Sequence, residues 1–345
     1  MTTALDTVAC GAARVMSEPG QPDTIIPARQ IGGRVALRFS GRVHSVYRQA
    51  CNIETERGTL VTLLSQAPGN LPHGIRCVLP APADFRTRCA AGQTVVADGV
   101  DLRIVQAGMT VHLSGAAAWH CVLAACVVDP CAGQTMRALL EVRSTLRNQA
   151  PASGFAPLLL CDDEPDSALD QALQRRLRGA LPILGEATRS LDSDGAVQAL
   201  GQLAGLGPGL TPSGDDFIVG YLAALWSRCS CQSALRSFLA ALGGPLQRFA
   251  ARSNLISRQF LLDAVASEFS ESLTDLVSAL AVGDAGRALI GARRVVRIGH
   301  SSGADALTGL LFGLQPSLLI ASASAGGGSA GAPARSHPGV VSALR

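Results

Sequence analysis

Residues 205–222 read GLGPGLTPSGDDFIVGYL, and residues 298–311 read IGHSSGADALTGLL. Aligned on their serines, the two stretches share the order Ser-Gly-x-Asp-x-apolar-x-Gly-apolar-Leu. A serine followed three residues later by an acidic residue is a capping-box pattern, with Asp in place of the commoner Glu or Gln. The stretches therefore predict two equivalent loop-to-helix starts in one domain. The aligned pairs are Ser213 with Ser302, Gly214 with Gly303, Asp216 with Asp305, and Gly220 with Gly309.

The first stretch contains more glycine than a helix cap requires. Three glycines and two prolines occupy its first eight residues. A glycine-rich loop that enters a helix presents backbone N–H groups to an anion, whereas two adjacent aspartates repel one. We therefore expect a divided site, in which the loop holds an anionic group and carboxylates accept hydrogen bonds or hold a cation. The anion-binding residues expected here are Gly207, Gly209, Thr211, Ser213 and Gly214, and the expected catalytic residues are Asp215 and Asp216.

Other polar residues are candidates for the same site. The second copy supplies His300 and Asp305 as expected catalytic residues, and Ser302 and Gly303 as expected binding residues. Arginine recognises carboxylates and phosphates with two parallel hydrogen bonds, so the segment between the copies is a candidate anion clamp. Its residues are Arg252, Ser253, Ser257 and Arg258, and a separate candidate from the β-rich half is His44. Each has a structural alternative: Ser257 can cap a helix, a lone strand histidine can be structural, and caps alone stabilise helices by about 1 kcal/mol each.

The predicted secondary structure changes near the middle of the chain. Short apolar stretches bounded by turn residues run from about residue 31 to 130 and predict a small β-rich domain. Ala- and Leu-rich segments with helical periodicity follow to about residue 318. One segment is expected to end before Pro182 and another at Leu242, and no helix is predicted around Arg293, Arg294 and Arg297. We expect an α+β fold with a loose leader over residues 1–30 and a disordered tail over 319–345.

Composition excludes several classes of protein. The 345 residues suffice for two domains, and 48% are hydrophobic, which excludes a disordered chain. All 29 basic residues are Arg, so Schiff-base enzymes and Lys-dependent P-loops are excluded. The net charge of +3 is mild and scattered, which argues against nucleic-acid binding. No signal peptide, membrane span or zinc-finger spacing is present, and the ten cysteines are expected to be reduced in a cytoplasmic protein.

The glycine-rich stretch resembles the signature of the DUF2877 family, also called the AllH family. Further matches are the stretches around residues 44–53, 253–261 and 299–311, so the resemblance covers roughly residues 33–315. It implies a subunit of oxamate carbamoyltransferase, which converts oxalurate and phosphate into oxamate and carbamoyl phosphate during allantoin breakdown. It also implies partner subunits of the FdrA and AllG type. Loop amides and arginines would hold phosphate, carbamoyl phosphate or the oxamate carboxylate, and aspartates would accept from the carbamoyl amide.

Two alternatives remain open from the sequence. One is a non-catalytic binding or assembly subunit, whose glycines serve helix packing. The other is an amidohydrolase that acts on a small ureido or amide acid, with Mg or Mn held by Asp215, Asp216 and Asp305, because carboxylates suit these cations. We otherwise expect no cofactor.

Overall fold

The computed structural model describes residues 24–65, 69–121, 123, 127–160, 167–229 and 232–320. The first half consists of strands of three to nine residues. Buried apolar residues alternate with exposed ones along several of them, such as Val95 and Ala97 in one strand and Leu102 and Ile104 in the next. The strands are β1 (Thr24–Gly32), β2 (Arg38–Val46), β3 (Ala50–Thr55), β4 (Leu60–Leu64), β5 (Gly74–Cys77), β6 (Thr94–Asp98), β7 (Asp101–Ile104), β8 (Met109–His112) and β9 (Ala117–Trp119).

The strands form one sheet that closes on itself. Their order is β5-β4-β3-β2-β6-β7-β8-β1-β9, and an antiparallel pairing of β1 with β5 completes the ring. The first part of β1 pairs in parallel with β8, and its last residues, from Gln30 to Gly32, pair in parallel with β9. Closure leaves no open edge on β1 to β8, the eight strands of the ring. Their inward side chains form a core separate from that of the helices.

The second half is helical, with eleven helices among the described residues. Its core is one continuous cluster of mainly Leu, Ala and Phe side chains. The helices are α1 (Gly133–Gln149), α2 (Phe155–Leu160), α3 (Ala168–Ser190), α4 (Ser193–Leu203), α5 (Ser213–Trp226), α6 (Ser233–Ala250), α7 (Leu255–Val265), α8 (Glu271–Ala281), α9 (Ala285–Val296), α10 (Ser302–Leu314) and α11 (Ser317–Ile320).

Polar side chains join the barrel to the helices. Gln259 on α7 accepts a hydrogen bond from the backbone N–H of Leu60 in β4, at 3.1 Å, and donates to Asp263. The carboxylate of Asp263 contacts His73, the residue before β5. At the start of α8, Glu271 accepts from both the backbone and the side chain of Asn70. These bonds between buried or half-buried groups fix the two halves against each other.

The expected α+β class is confirmed, and several expected boundaries are wrong. Strand β1 begins at Thr24, so residues 24–30 belong to the barrel rather than to a leader. Helix α11 buries Leu319, where a tail was expected to begin. The rest of the expected leader and tail, residues 1–23 and 321–345, lies outside the described residues. The described cysteines are free thiols, as expected.

Helices α3 and α6 continue through Pro182 and Pro245, and α9 forms where no helix was predicted. Proline removes one backbone hydrogen bond from a helix, but buried apolar residues on both sides of each proline keep these helices packed on the core.

Candidate functional site

The two predicted helix starts belong to a longer repeat. In each copy a helix is followed by a residue with left-handed backbone, Leu191 (φ 57°) after α3 and Gly283 (φ 67°) after α8. An aspartate, Asp192 or Asp284, then caps the next helix by accepting backbone N–H bonds. That helix, α4 or α9, leads through a loop into α5 or α10. The internal repeat thus pairs α3–α4–α5 with α8–α9–α10.

Helices α5 and α10 cross at two glycines. A Cβ on Gly220 would lie 1.8 Å from the carbonyl oxygen of Ala306, and a Cβ on Gly309 would lie 1.9 Å from that of Phe217. Each contact is the repeat counterpart of the other, so the helices meet backbone to backbone about a local two-fold relation. Only glycine allows this approach. The crossing explains the second pair of glycines in the aligned motif.

The loops before α5 and α10 are also equivalent. Gly207 (φ 104°) and Gly299 (φ 64°) have left-handed backbone, and a Cβ added at either glycine would lie 3.1 Å from the serine of its own copy, Ser213 or Ser302. A side chain on Gly214 would lie 1.8 Å from the carbonyl oxygen of Leu203. Gly303 has the same relation to the carbonyl oxygen of Val295.

The amides of Gly214 and Gly303 donate to carbonyl oxygens of their own loops, at 2.8 and 3.0 Å. These two amides therefore have no free N–H, so the geometry gives no support to the expected anion-binding role of Gly214 and Gly303. The amides of Gly207, Gly209 and Thr211 have no acceptor within the described residues, so the tip of the first loop retains free donors.

The Asp215 side chain links the glycine loop to the start of α7. Its side chain is buried, and Oδ1 accepts from the backbone N–H of Gly205, at 2.7 Å. Oδ2 accepts from the hydroxyls of Ser253 and Ser257, at 2.6 and 2.5 Å. Three protein hydrogen bonds therefore hold the Asp215 carboxylate in place. The geometry gives no support to the expected catalytic role of Asp215 or to the expected binding roles of the two serines, which tie the glycine loop to α7.

Asp216 and Asp305 differ from Asp215 because each has a carboxyl oxygen without a hydrogen-bond partner in the described part of the chain. Both are buried, at 8% and 0% exposure, and in each the Oδ2 atom has no hydrogen-bond partner among the described residues. The hydroxyls of Thr211 and Ser302 lie near the Asp216 carboxyl, and those of Ser213 and Ser301 lie near the Asp305 carboxyl. Each aspartate thus lies near a serine hydroxyl of the other copy of the repeat. A Thr211–Ser302 hydroxyl contact of 2.5 Å joins the two loops.

Burial raises the pKa of both carboxyls. Desolvation is the main cause for Asp216, whose pKa rises to about 8, and the negative charges of Asp305 and Asp215 add to it. Desolvation also raises the pKa of Asp305 to about 6, although the backbone N–H of Phe155 bonds to it and opposes the shift. Two buried carboxyls that interact cannot both ionise easily, so the pair retains one proton near neutral pH.

The segment before α2, residues 153–155, completes the site and was not predicted from the sequence. The N–H of Phe155 donates to Asp305 Oδ1 at 2.6 Å, and Gly154 (φ 89°) leaves room for that carboxylate, since a Cβ there would lie 2.6 Å from Oδ1. The Ser153 hydroxyl is buried without a partner in the part of the chain that the structure describes. The Ser-Gly pair between two helical segments is the only signal in the sequence that could have indicated it.

The remaining expected residues lie elsewhere. Arg258 donates to the carbonyl oxygen of Gly58 at 2.6 Å and so joins α7 to the barrel. His44 contacts the Ser45 hydroxyl on an exposed part of β2. Arg252 and His300 are exposed. The structure thus brings together Thr211, Ser213, Asp216, Ser302 and Asp305, and it shows no contact of Arg252, His300 or His44 with them.

The described residues hold no group of three or more His, Cys, Asp or Glu side chains that could bind a metal ion. They give no support to the expected alternative with Mg or Mn on three aspartates, because the Asp215 carboxylate already accepts three hydrogen bonds from protein groups. Over the same residues, no helix has the length and apolar character needed to cross a membrane.

Two family models match the chain. One, described as oxamate carbamoyltransferase subunit AllH, matches residues 203–314, which include both loops, α5 and α10. The other, described as AllH family N-terminal domain, matches residues 28–118, which form the barrel. No solved structure matches the chain.

Proposed function

This chain belongs to the AllH family of oxamate carbamoyltransferase subunits, and from that premise we propose that it carries the binding site for oxamate and oxalurate. The observation that supports this most is the pair of buried carboxyls, Asp216 and Asp305, each with an oxygen free of partners. Buried polar atoms are nearly always hydrogen-bonded, and two exceptions at equivalent positions of the repeat support a place for a ligand. Oxalurate and oxamate both carry amide groups that can bond to these atoms.

The geometry supports a division of the ligand. The free amides of Gly207, Gly209 and Thr211 suit a carboxylate or phosphate. The carboxyls of Asp216 and Asp305 suit the amide part. In oxalurate phosphorolysis a phosphate oxygen attacks the carbamoyl carbon, the C–N bond to oxamate breaks, and the departing nitrogen takes up a proton. A neutral Asp216 carboxyl can supply that proton, because its pKa is raised to about 8.

The partners and setting are part of the proposal. A family whose members are subunits of a multi-protein enzyme implies protein partners. We propose that these are of the FdrA and AllG type, that the complex serves allantoin breakdown, and that it acts in the cytoplasm without binding nucleic acid. The resemblance supports these points.

The test is carbamoyl transfer by the complex reconstituted with its partner subunits. Asp216→Asn and Asp305→Asn should each lower turnover by about 100-fold or more, the range for loss of a positioned acid or base. Asp194→Asn, an exposed change in the first turn of α4, is the matched control and should leave turnover unchanged. Full activity in both site variants would favour the alternative, a non-catalytic assembly subunit.

A further inference from the structure

We propose that Asp216 and Asp305 form a donor–acceptor pair that shares one proton and selects an uncharged amide group over a carboxylate. The inference rests on the proposed function and specifies which part of the substrate the carboxyls recognise. An amide has a carbonyl oxygen that accepts a hydrogen bond and an N–H that donates one. A carboxyl beside a carboxylate offers the two complementary groups.

The contacts decide which carboxyl is the donor. Asp305 Oδ1 accepts a 2.6 Å bond from the backbone N–H of Phe155, a neutral donor that stabilises its ionised form. Asp216 accepts no backbone N–H bond among the described residues and has only the hydroxyls of Thr211 and Ser302 near it, and the negative charges of Asp215 and Asp305 both act on it. The proton therefore resides on Asp216. Its Oδ2–H donates to the amide carbonyl, and Asp305 Oδ2 accepts from the amide N–H.

This pairing predicts a pH window for binding. The pKa of Asp305 is raised to about 6 and that of Asp216 to about 8, both chiefly by burial. Below the lower value Asp305 becomes protonated and the acceptor is lost. Above the upper value Asp216 ionises, the donor is lost and the two charges repel. Affinity for an amide ligand should therefore be highest between about pH 6 and 8 and fall up to tenfold per pH unit outside it.

The two asparagine variants separate the roles. In Asp305→Asn, the Phe155 N–H retains the side-chain carbonyl, so the NH₂ group occupies the place of Oδ2 and a donor replaces the acceptor. In Asp216→Asn, we expect the nearby hydroxyls of Thr211 and Ser302 to hold the side-chain carbonyl, so that the NH₂ group supplies the donor that the protonated acid supplied. One variant should lose binding and the other should keep it.

The test is titration calorimetry of the full chain, alone and in the complex, with oxamate and with oxalate, a ligand of the same shape with a carboxylate in place of the amide. At pH 7 we expect oxamate to bind at least about tenfold more tightly than oxalate. Asp305→Asn should weaken oxamate binding by about 10- to 100-fold, the value of a bond to a charged group. Asp216→Asn should bind within about threefold of wild type at pH 7 and should lose the fall in affinity above pH 8.

The infrared spectrum of the wild-type chain gives a measurement that does not depend on the variants' folding. A protonated-carboxyl C=O band should be present at pH 7 and disappear above pH 9. Equal affinity for oxamate and oxalate, loss of oxamate binding in Asp216→Asn, or absence of the band would overturn the pair. If neither ligand binds the chain or the complex, both the pair and the proposed function are wrong. If oxamate binds without preference, only the pair is wrong.

Discussion

At the scale of single residues, two adjacent aspartates have opposite environments. Asp215 accepts three hydrogen bonds, whereas Asp216 retains an unpartnered oxygen although it is also buried. The sequence assigns both to the first turn of a helix but cannot show which one points toward α7 and which toward α10. That choice depends on the helix crossing, which brings together residues far apart in the chain.

The raised pKa of Asp216 predicts a pH-dependent stability. An unfolded carboxyl has its ordinary pKa near 4, so ionising Asp216 between pH 4 and its folded value of about 8 favours the unfolded state. Stability from this residue is therefore greatest at low pH and is lost as the pH rises to 8. Relative to wild type, Asp216→Asn should gain about 1 kcal/mol of unfolding free energy per pH unit from pH 5 to 8.

Urea unfolding at four pH values measures this difference. Asp194→Asn, whose carboxyl is exposed, serves as the control and should give a curve parallel to that of wild type. A parallel curve for Asp216→Asn would show that the buried carboxyl does not titrate in this range.

At the scale of elements, the glycine contacts between α5 and α10 hold the two copies together. A methyl group at Gly220 or Gly309 would overlap a backbone carbonyl oxygen of the opposite helix. Gly220→Ala and Gly309→Ala should each destabilise the chain by about 3 kcal/mol or more, because the helices must separate. Gly179→Ala is the matched control: it lies on the exposed side of α3 with open space around it and should stabilise by up to about 1 kcal/mol. Thermal unfolding distinguishes the two cases, and an equal effect at all three positions would refute the crossing.

The sequence predicted most elements but missed parts of the helical half. Helix α9 was missed although its two faces differ clearly: its buried face is built of small residues, Ala288, Gly291 and Ala292, rather than of the leucines that mark most of the other helices. Helix α6 was expected to end before its Gly-Gly-Pro, yet Leu242 and Leu246 on either side pack into the core and carry it onward. Local propensity signals the cost of a residue in a helix, and only tertiary packing shows whether it is offset.

Sequence similarity within the chain indicated which polar residues lie together better than periodicity did. The aligned motif placed Asp216 and Asp305 at equivalent positions, and the structure places both in one buried cluster. The contribution of Phe155 has little sequence signal, because it comes from a backbone N–H and only the preceding Ser-Gly pair marks the segment. Arg258 was expected at the site for its charge, but it bonds to Gly58 in the barrel.

At the scale of the whole molecule, the barrel and the helices share buried polar contacts and should unfold together. The chain has two tryptophans, Trp119 in β9 and Trp226 in α5, so each half carries its own fluorescent probe. Single-tryptophan variants, Trp119→Phe and Trp226→Phe, should show coincident urea transitions. Gln259→Ala leaves the buried Leu60 N–H without its acceptor and should lower the free energy of unfolding by about 1–3 kcal/mol. The urea midpoints seen by the two probes should fall equally.

Gln247→Ala, an exposed change on α6, is the control for this substitution and should leave both midpoints in place. Separate transitions for the two probes, or a shift of one midpoint alone, would show that the halves are independent.

We propose that the substrate site lies on this chain, between the two copies of the repeat. Amide hydrogen exchange of the chain in its complex, with and without saturating oxamate, tests this claim most directly. We predict slower exchange in both loops, residues 205–216 and 299–305, together with residues 153–155, and no change in the exposed start of α3. Oxamate-dependent protection confined to the partner subunits would contradict the account.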